Sequence, residues 1–113
     1  MSDRLQAIID RQREFDAAHG WAHYDRELSD EQLVEELYRG TVHLLGELGE
    51  FANDVKKSHR ESGLRKDELR EELTDTFIYL IKLSLLLDMD LETEHKKKIE
   101  KNYARFEHHK KSL

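Results

Sequence analysis

The segment from Ser29 to Ser58 has the pattern of one long amphipathic α-helix. Its first residues, Ser-Asp-Glu-Gln, form a capping box, in which Ser29 and Gln32 bond each other's free backbone amides. Apolar residues then recur at helical spacing, which predicts one face packed against a neighbour. That apolar stripe consists of Leu33, Leu37, Leu44, Leu48, Phe51 and Val55.

Three further helices are predicted around this one. Proline is absent and 39% of the residues are charged, a balance that favours helices. The first helix ends before Gly20, because glycine readily takes the left-handed conformation after a helix end. Asp90 is the predicted N-cap of the last helix. The predicted ranges are 3–18, 67–88, and from Asp90 towards Lys110, with a linker at 21–28 and a charged connection at 58–66.

The chain is therefore expected to be a single all-α domain over residues 1–113. The connection between the second and third helices is short, so these two helices must pack antiparallel. We expect an antiparallel arrangement similar to a four-helix bundle.

The third helix is apolar nearly all round, and such a helix is usually buried on every side. Its predicted core face is Leu69, Leu73, Phe77, Leu80, Ser84 and Leu87, with Ile78, Ile81, Leu85 and Leu86 on other sides. A monomer of 113 residues cannot easily cover all of that surface. We therefore expect a homo-oligomer, either a dimer or a tetramer.

Charge and hydropathy exclude several classes of protein. The net charge of -6 disfavours a general nucleic-acid binder, which needs a basic surface. The longest strongly apolar run, Phe77 to Leu87, is interrupted by Lys82 and is too short to span a bilayer. The first residues are charged and lack the pattern of a secretory signal. A cytoplasmic protein without disulfides is expected, since cysteine is absent.

Two pairs of acidic residues stand three apart, a spacing that places each pair on one helix face. They are Glu47 with Glu50, and Glu72 with Asp75. Side by side, two such helices could hold divalent cations in an oxygen cage. The alternative is solvated surface, which is common in a chain with 25 acidic residues. The cage is favoured by the glycines beside the first pair and by the low polarity of the helix that carries the second.

Three motifs in order resemble the all-α nucleoside triphosphate pyrophosphohydrolases of the MazG superfamily. They are Gly46-Glu47-Leu48-Gly49-Glu50, then Glu71-Glu72-Leu73-Thr74-Asp75, then Lys101-Asn102-Tyr103-Ala104-Arg105-Phe106. The signature of that family is an ExxE, a spacer and an ExxD. Here 21 residues separate Glu50 from Glu72, which is within the family's range. The resemblance covers about Gln32 to Phe106.

The resemblance implies hydrolysis of a nucleoside triphosphate to the monophosphate and pyrophosphate, with Mg²⁺ as cofactor and Mn²⁺ as a possible substitute. Glu47, Glu50, Glu72 and Asp75 resemble the metal ligands, and Glu50 is the expected base for the attacking water. Expected substrate contacts are Tyr79, Asn102, Lys98, Lys101, Arg105 and Trp21. The cations of the last helix could instead be a solvated face, and Trp21 could instead cap the core.

Several functions remain open for such a chain. The expected activity is nucleotide-pool house-cleaning on canonical or modified nucleotides. Enzyme alternatives in the same fold group are a phosphoribosyl-ATP pyrophosphatase and a dimeric deoxyuridine nucleotide hydrolase. A non-catalytic helical binding partner is the alternative from a different class. Release of pyrophosphate that depends on a divalent cation separates the enzymes from that partner.

Overall fold

The computed structural model describes residues 3–61 and 63–109, and over these residues the chain contains helices and no strand. The elements are α1 (Arg4–Ala18), α2 (Asp30–Arg60), α3 (Lys66–Leu86) and α4 (Leu91–Arg105), with 3₁₀ turns at His23–Asp25 and Glu107–His109. The all-α class is confirmed. The last helix ends at Arg105 and is capped at Phe106, so the prediction that it continues towards Lys110 is wrong, and Lys110 itself lies outside the described residues.

Local capping signals place the starts and ends of the helices. The Ser29 Oγ accepts a hydrogen bond from the Gln32 amide at 3.1 Å, and the Ser29 amide donates to Gln32 Oε1 at 2.9 Å, so the capping box is confirmed. Asp90 caps α4 by accepting from the Thr93 amide at 3.1 Å. Gly20 takes a φ of 72° after α1, as its position predicts.

The helices α2 and α3 form the main packing unit and run antiparallel. Later residues of α2 contact earlier residues of α3, as the pairs Gly40 with Leu83, His43 with Tyr79 and Asp54 with Glu72 show. At Gly40 the helices approach very closely, since a Cβ added there would stand 2.8 Å from Leu83 Cδ2. The predicted antiparallel pairing is correct.

The predicted core face of α3 is wrong in part. Ser84 is buried as expected, but Leu73, Phe77 and Leu80 are 39–55% exposed. Ile81, which the periodicity assigned to another side, is only 1% exposed. The reason is that the N-terminal segment packs on α3, through the first 3₁₀ turn and through an ion pair between Lys82 and Asp16. A helix that is apolar all round does not reveal which side its own chain will cover.

The described chain is much more open than a compact domain. Its radius of gyration is 17.6 Å, where a compact chain of this length has about 13 Å. Its accessible surface is 9352 Å², against roughly 6500 Å² for a folded monomer of this mass. Apart from α2 with α3, and the first 3₁₀ turn with α3, the described elements meet only marginally. The four-helix bundle therefore stays a prediction.

The uncovered surface includes a large apolar area. On α2 it comprises Val34, Tyr38, Val42, Leu45 and Leu48, on α3 Leu73, Phe77, Leu80 and Leu87, and on α4 Ile99, Tyr103 and Phe106. We call this set the exposed apolar face. Soluble monomers rarely leave large apolar patches in water, and the exposure of this many large apolar side chains is unusual. Over the described ranges, no helix combines the length and hydropathy that a membrane crossing requires.

Candidate active site

The two carboxylate pairs face each other across the antiparallel α2–α3 pair. Glu47 and Glu50 lie on α2, and Glu72 and Asp75 lie on α3. Glu47, Glu72 and Asp75 are partly buried, whereas Glu50 is exposed. On a helical wheel with 100° per residue, both pairs lie on the flanks of their helices and not at the centre of the apolar stripe. In the structure one oxygen of Glu72 lies fully inside, because the short connection brings the two flanks together.

The carboxylates are close enough to act on one another. Burial, hydrogen bonding to Asp54 and the charges of Asp54, Glu50 and Glu47 together raise the pKa of Glu72 to about 7. Burial and the charges of Glu50 and Asp75 also raise the pKa of Glu47. Like charges held together in this way cost free energy unless a cation offsets them.

The chemistry of these side chains suits a divalent cation. Glu72 Oε1 is buried without a hydrogen-bond partner, which is unusual because buried polar atoms are nearly always satisfied. Carboxylate oxygens are the ligands that Mg²⁺ prefers. In the part of the chain that the structure describes, no three acidic or histidine side chains already stand in a metal-holding group.

Asp54 is a fifth carboxylate of this cluster that the sequence analysis missed. It follows Glu50 by four residues and Glu47 by seven, so it lies on the same face of α2. Its side chain is only 13% exposed and stands 3.9 Å from an Arg65 nitrogen. The spacing was available in the sequence, but Asp54 lies outside the ExxE motif and an acidic residue is common in this chain.

A cavity of about 320 Å³ lies one helical turn beyond the carboxylates. Its lining includes His43, one turn before Glu47, and Tyr79, one turn after Asp75. The rings of His43 and Tyr79 stack with centroids 5.3 Å apart and an interplanar angle of 8°. The rest of the lining comprises Trp21, His23, Tyr24, Glu36, Arg39, Gly40, Lys82, Leu83 and Leu86. Trp21 and Tyr79, both expected at the substrate, therefore share one cavity.

A charged network joins the N-terminal segment to this cavity. The carboxylate of Asp16 is fully buried and accepts a hydrogen bond from the Tyr24 hydroxyl at 2.5 Å. Its other oxygen stands 3.5 Å from the Lys82 ammonium. That ammonium lies 5.7 Å from the ring centroid of Trp21 and 5.3 Å from that of Tyr79, within the range of cation–π attraction. Sequence analysis missed this network because its members are far apart along the chain.

Replacing Tyr24 with phenylalanine tests the network. The variant loses a hydrogen bond to a charged acceptor, so we expect the free energy of unfolding to fall by about 1.5–3 kcal/mol at pH 7. Burial and the adjacent Asp16 raise the pKa of Tyr24 in the folded protein. Above pH 10 the unfolded Tyr24 therefore ionises before the folded one, so the wild type loses stability with rising pH, and this loss should be smaller in Tyr24→Phe.

Urea unfolding at pH 7 and pH 10.5 measures both effects. Tyr103→Phe is the matched control, because Tyr103 is 64% exposed on α4. The network would be contradicted if Tyr24→Phe and Tyr103→Phe unfolded alike at both pH values.

The expected substrate contacts on α4 are not brought to the carboxylates within the chain. Lys98, Lys101 and Arg105 are exposed, and Arg105 stacks over the ring of Phe106 at 4.9 Å. Asn102 is half-buried and lines a separate hollow on α4 itself. No hydrogen bond or ion pair between described residues joins these four side chains to the acidic cluster.

The family model of the MazG nucleotide pyrophosphohydrolase domain matches residues 39–110, well over half of the chain. The match includes both carboxylate pairs, Tyr79 and α4, and leaves out α1 and Trp21. Neither the curated proteins nor the solved structures gave a match.

Proposed function

Because the chain belongs to the MazG nucleotide pyrophosphohydrolase family, we propose that it is a Mg²⁺-dependent nucleoside triphosphate pyrophosphohydrolase. It converts a ribo- or deoxyribonucleoside triphosphate and water into the monophosphate and pyrophosphate, as a house-cleaning enzyme of the nucleotide pool. The observation that carries this proposal is the facing of the two carboxylate pairs around a buried, unpartnered oxygen of Glu72.

The roles that we assign to the carboxylates follow from how far each one is buried. Glu47, Glu72 and Asp75 are partly buried and would hold Mg²⁺, or Mn²⁺ in its place, together with Glu50. When bound, the ion neutralises phosphate oxygens and stabilises the leaving pyrophosphate. Glu50 is the exposed member, so water reaches it most easily. We assign Glu50 the role of accepting the proton of the attacking water.

The adjoining cavity suits the nucleoside. Its aromatic members are Trp21, which stacks on His19, and Tyr79, which stacks on His43, so each ring has one further face on which a base would stack. The cavity starts one turn from Glu47 and Asp75, so a nucleotide with its base there directs its phosphates at the acidic cluster. This direction favours attack at the α-phosphate, close to the nucleoside.

Assembly supplies what the single chain lacks. We infer that the exposed apolar face is buried in a homodimer or homotetramer, since it is too large to remain in water. Packing of α4 in that assembly would bring Lys98, Lys101, Asn102 and Arg105 to the phosphates. The three cations then neutralise phosphate oxygens and the asparagine donates hydrogen bonds.

Product analysis tests the reaction. With Mg²⁺ and a panel of ribo- and deoxyribonucleoside triphosphates, we expect chromatography to find monophosphate and pyrophosphate in equal amounts. Chelation of the metal should stop their release. Diphosphate with orthophosphate as the main products would rule out the proposed bond cleavage. A chain that releases nothing from any member of the panel would contradict the proposed activity.

A further inference from the structure

The N-terminal segment, outside the matched residues 39–110, builds one wall of the nucleoside cavity. The backbone of Trp21 is fixed there, because its amide donates to the Asp16 carbonyl at 2.8 Å. The Asp16 carboxylate is fully buried and also accepts from Gln12 Nε2 at 3.0 Å and from Tyr24. A buried carboxylate with several partners has a fixed position, so it can set the position of the cation beside it.

Lys82 is that cation, and it lies where a base would enter. Its side chain is 23% exposed, and its ammonium lies near the ring faces of Trp21 and Tyr79. An ammonium has three N–H donors, and the pairing with Asp16 uses one of them, so the others can donate to a ligand. Lys82 follows Asp75 by seven residues, which is about 10 Å of helix rise. That distance is comparable to the reach from a phosphate to the far edge of a base.

We propose that Lys82 is a specificity-determining residue that donates a hydrogen bond to a carbonyl oxygen of the base, and that Asp16 is the residue that positions it. The inference rests on the proposed nucleotide site. Uracil, thymine and guanine present carbonyl oxygens, whereas adenine presents an amino group in the corresponding place. A donor of the protein that meets a donor of the ligand loses its hydrogen bond and discriminates against that ligand. The cavity therefore selects oxo bases over adenine.

Nucleotide binding can be followed without turnover. Trp21 is the single tryptophan of the chain and lines the cavity, so its fluorescence reports occupancy directly. The probes are deoxyuridine and deoxyadenosine monophosphates, which carry no anhydride bond to hydrolyse. In the wild-type protein with Mg²⁺, we expect the deoxyuridine nucleotide to bind about tenfold or more tightly than the deoxyadenosine nucleotide.

Variants at the two positions then separate specificity from folding. Lys82→Met should bring the two dissociation constants within about twofold, and Lys82→Arg should keep the preference because it keeps a cationic donor. Asp16→Asn should weaken the preference while circular dichroism stays helical. Lys56→Met is the matched control, because Lys56 is exposed on α2 and outside the cavity. It should behave as the wild type.

Two results would overturn the inference: equal or tighter binding of the deoxyadenosine nucleotide by the wild type, or a preference that survives in Lys82→Met. Pyrophosphate release is measured separately. A preserved base preference without any pyrophosphate release would refute the proposed reaction and leave the base-recognition role intact. Pyrophosphate release at equal rates from deoxyuridine and deoxyadenosine triphosphates, together with equal binding of the two monophosphates, would support the proposed reaction and refute the base-recognition role of Lys82.

Discussion

Replacing Glu72 with glutamine is expected to lower turnover by about 10²–10³-fold while the helical circular dichroism stays native. The amide keeps the size of the side chain and removes one negative charge from the acidic cluster. Glu47→Gln and Asp75→Asn should act in the same way, because each removes a ligand from the same cation. Pyrophosphate release under saturating Mg²⁺ measures the loss.

The same variant has an opposite effect on the metal-free protein. Burial and three acidic neighbours raise the pKa of Glu72, so removing its charge relieves repulsion within the cluster. We expect the melting temperature without metal to rise in Glu72→Gln, and the stabilisation by Mg²⁺ to shrink. Glu71→Gln is the control, since Glu71 is the neighbouring exposed residue. Wild-type turnover in Glu72→Gln would show that the metal-site assignment is wrong.

The second large effect concerns assembly. An aspartate placed in the exposed apolar face, as Leu45→Asp or Leu80→Asp, should dissociate the oligomer into chains of 13.5 kDa. Both leucines are already 47–62% exposed in the single chain, so the change leaves its internal packing intact. A charge buried between subunits without a partner is costly. Activity should fall along with the mass, because we propose that α4 reaches the phosphates only in the assembly.

Sedimentation at micromolar concentration measures the mass of each form. The wild type should give at least twice 13.5 kDa. Leu64→Asp is the matched control, because Leu64 is 71% exposed in the connection and outside the apolar face. A wild-type chain that sediments as a monomer would contradict the proposed assembly and leave the exposed apolar face unexplained.

Capping chemistry between neighbouring residues, and the shortness of one connection, account for the parts of the fold that the sequence predicted correctly. The Ser29 capping box, the Asp90 cap and the left-handed Gly20 each depend on a few neighbouring residues, so their chemistry is legible in the sequence. The antiparallel pairing follows from the short connection between α2 and α3. The family resemblance is confirmed by the match over residues 39–110.

The missed features depend on contacts between distant residues. Periodicity could not tell whether Ile81 or Leu80 would be inside, since α3 is apolar on both sides. The pairing of Asp16 with Lys82 joins α1 to α3, and neither residue carries a motif. The assignment of Lys98, Lys101, Asn102 and Arg105 to the substrate stays a prediction, because the single chain does not place α4 at the cluster.

The length of α4 gives the site a further property. The helix has 15 residues, close to the length at which an isolated helix is barely stable in water. It is mostly polar, it begins at the Asp90 cap, and its apolar residues Ile99, Tyr103 and Phe106 are exposed. The stability of α4 as a helix therefore depends on the surface that covers those residues. In the proposed assembly, folding of α4 and subunit association would be one equilibrium, and we expect specific activity to rise with the concentration of the chain.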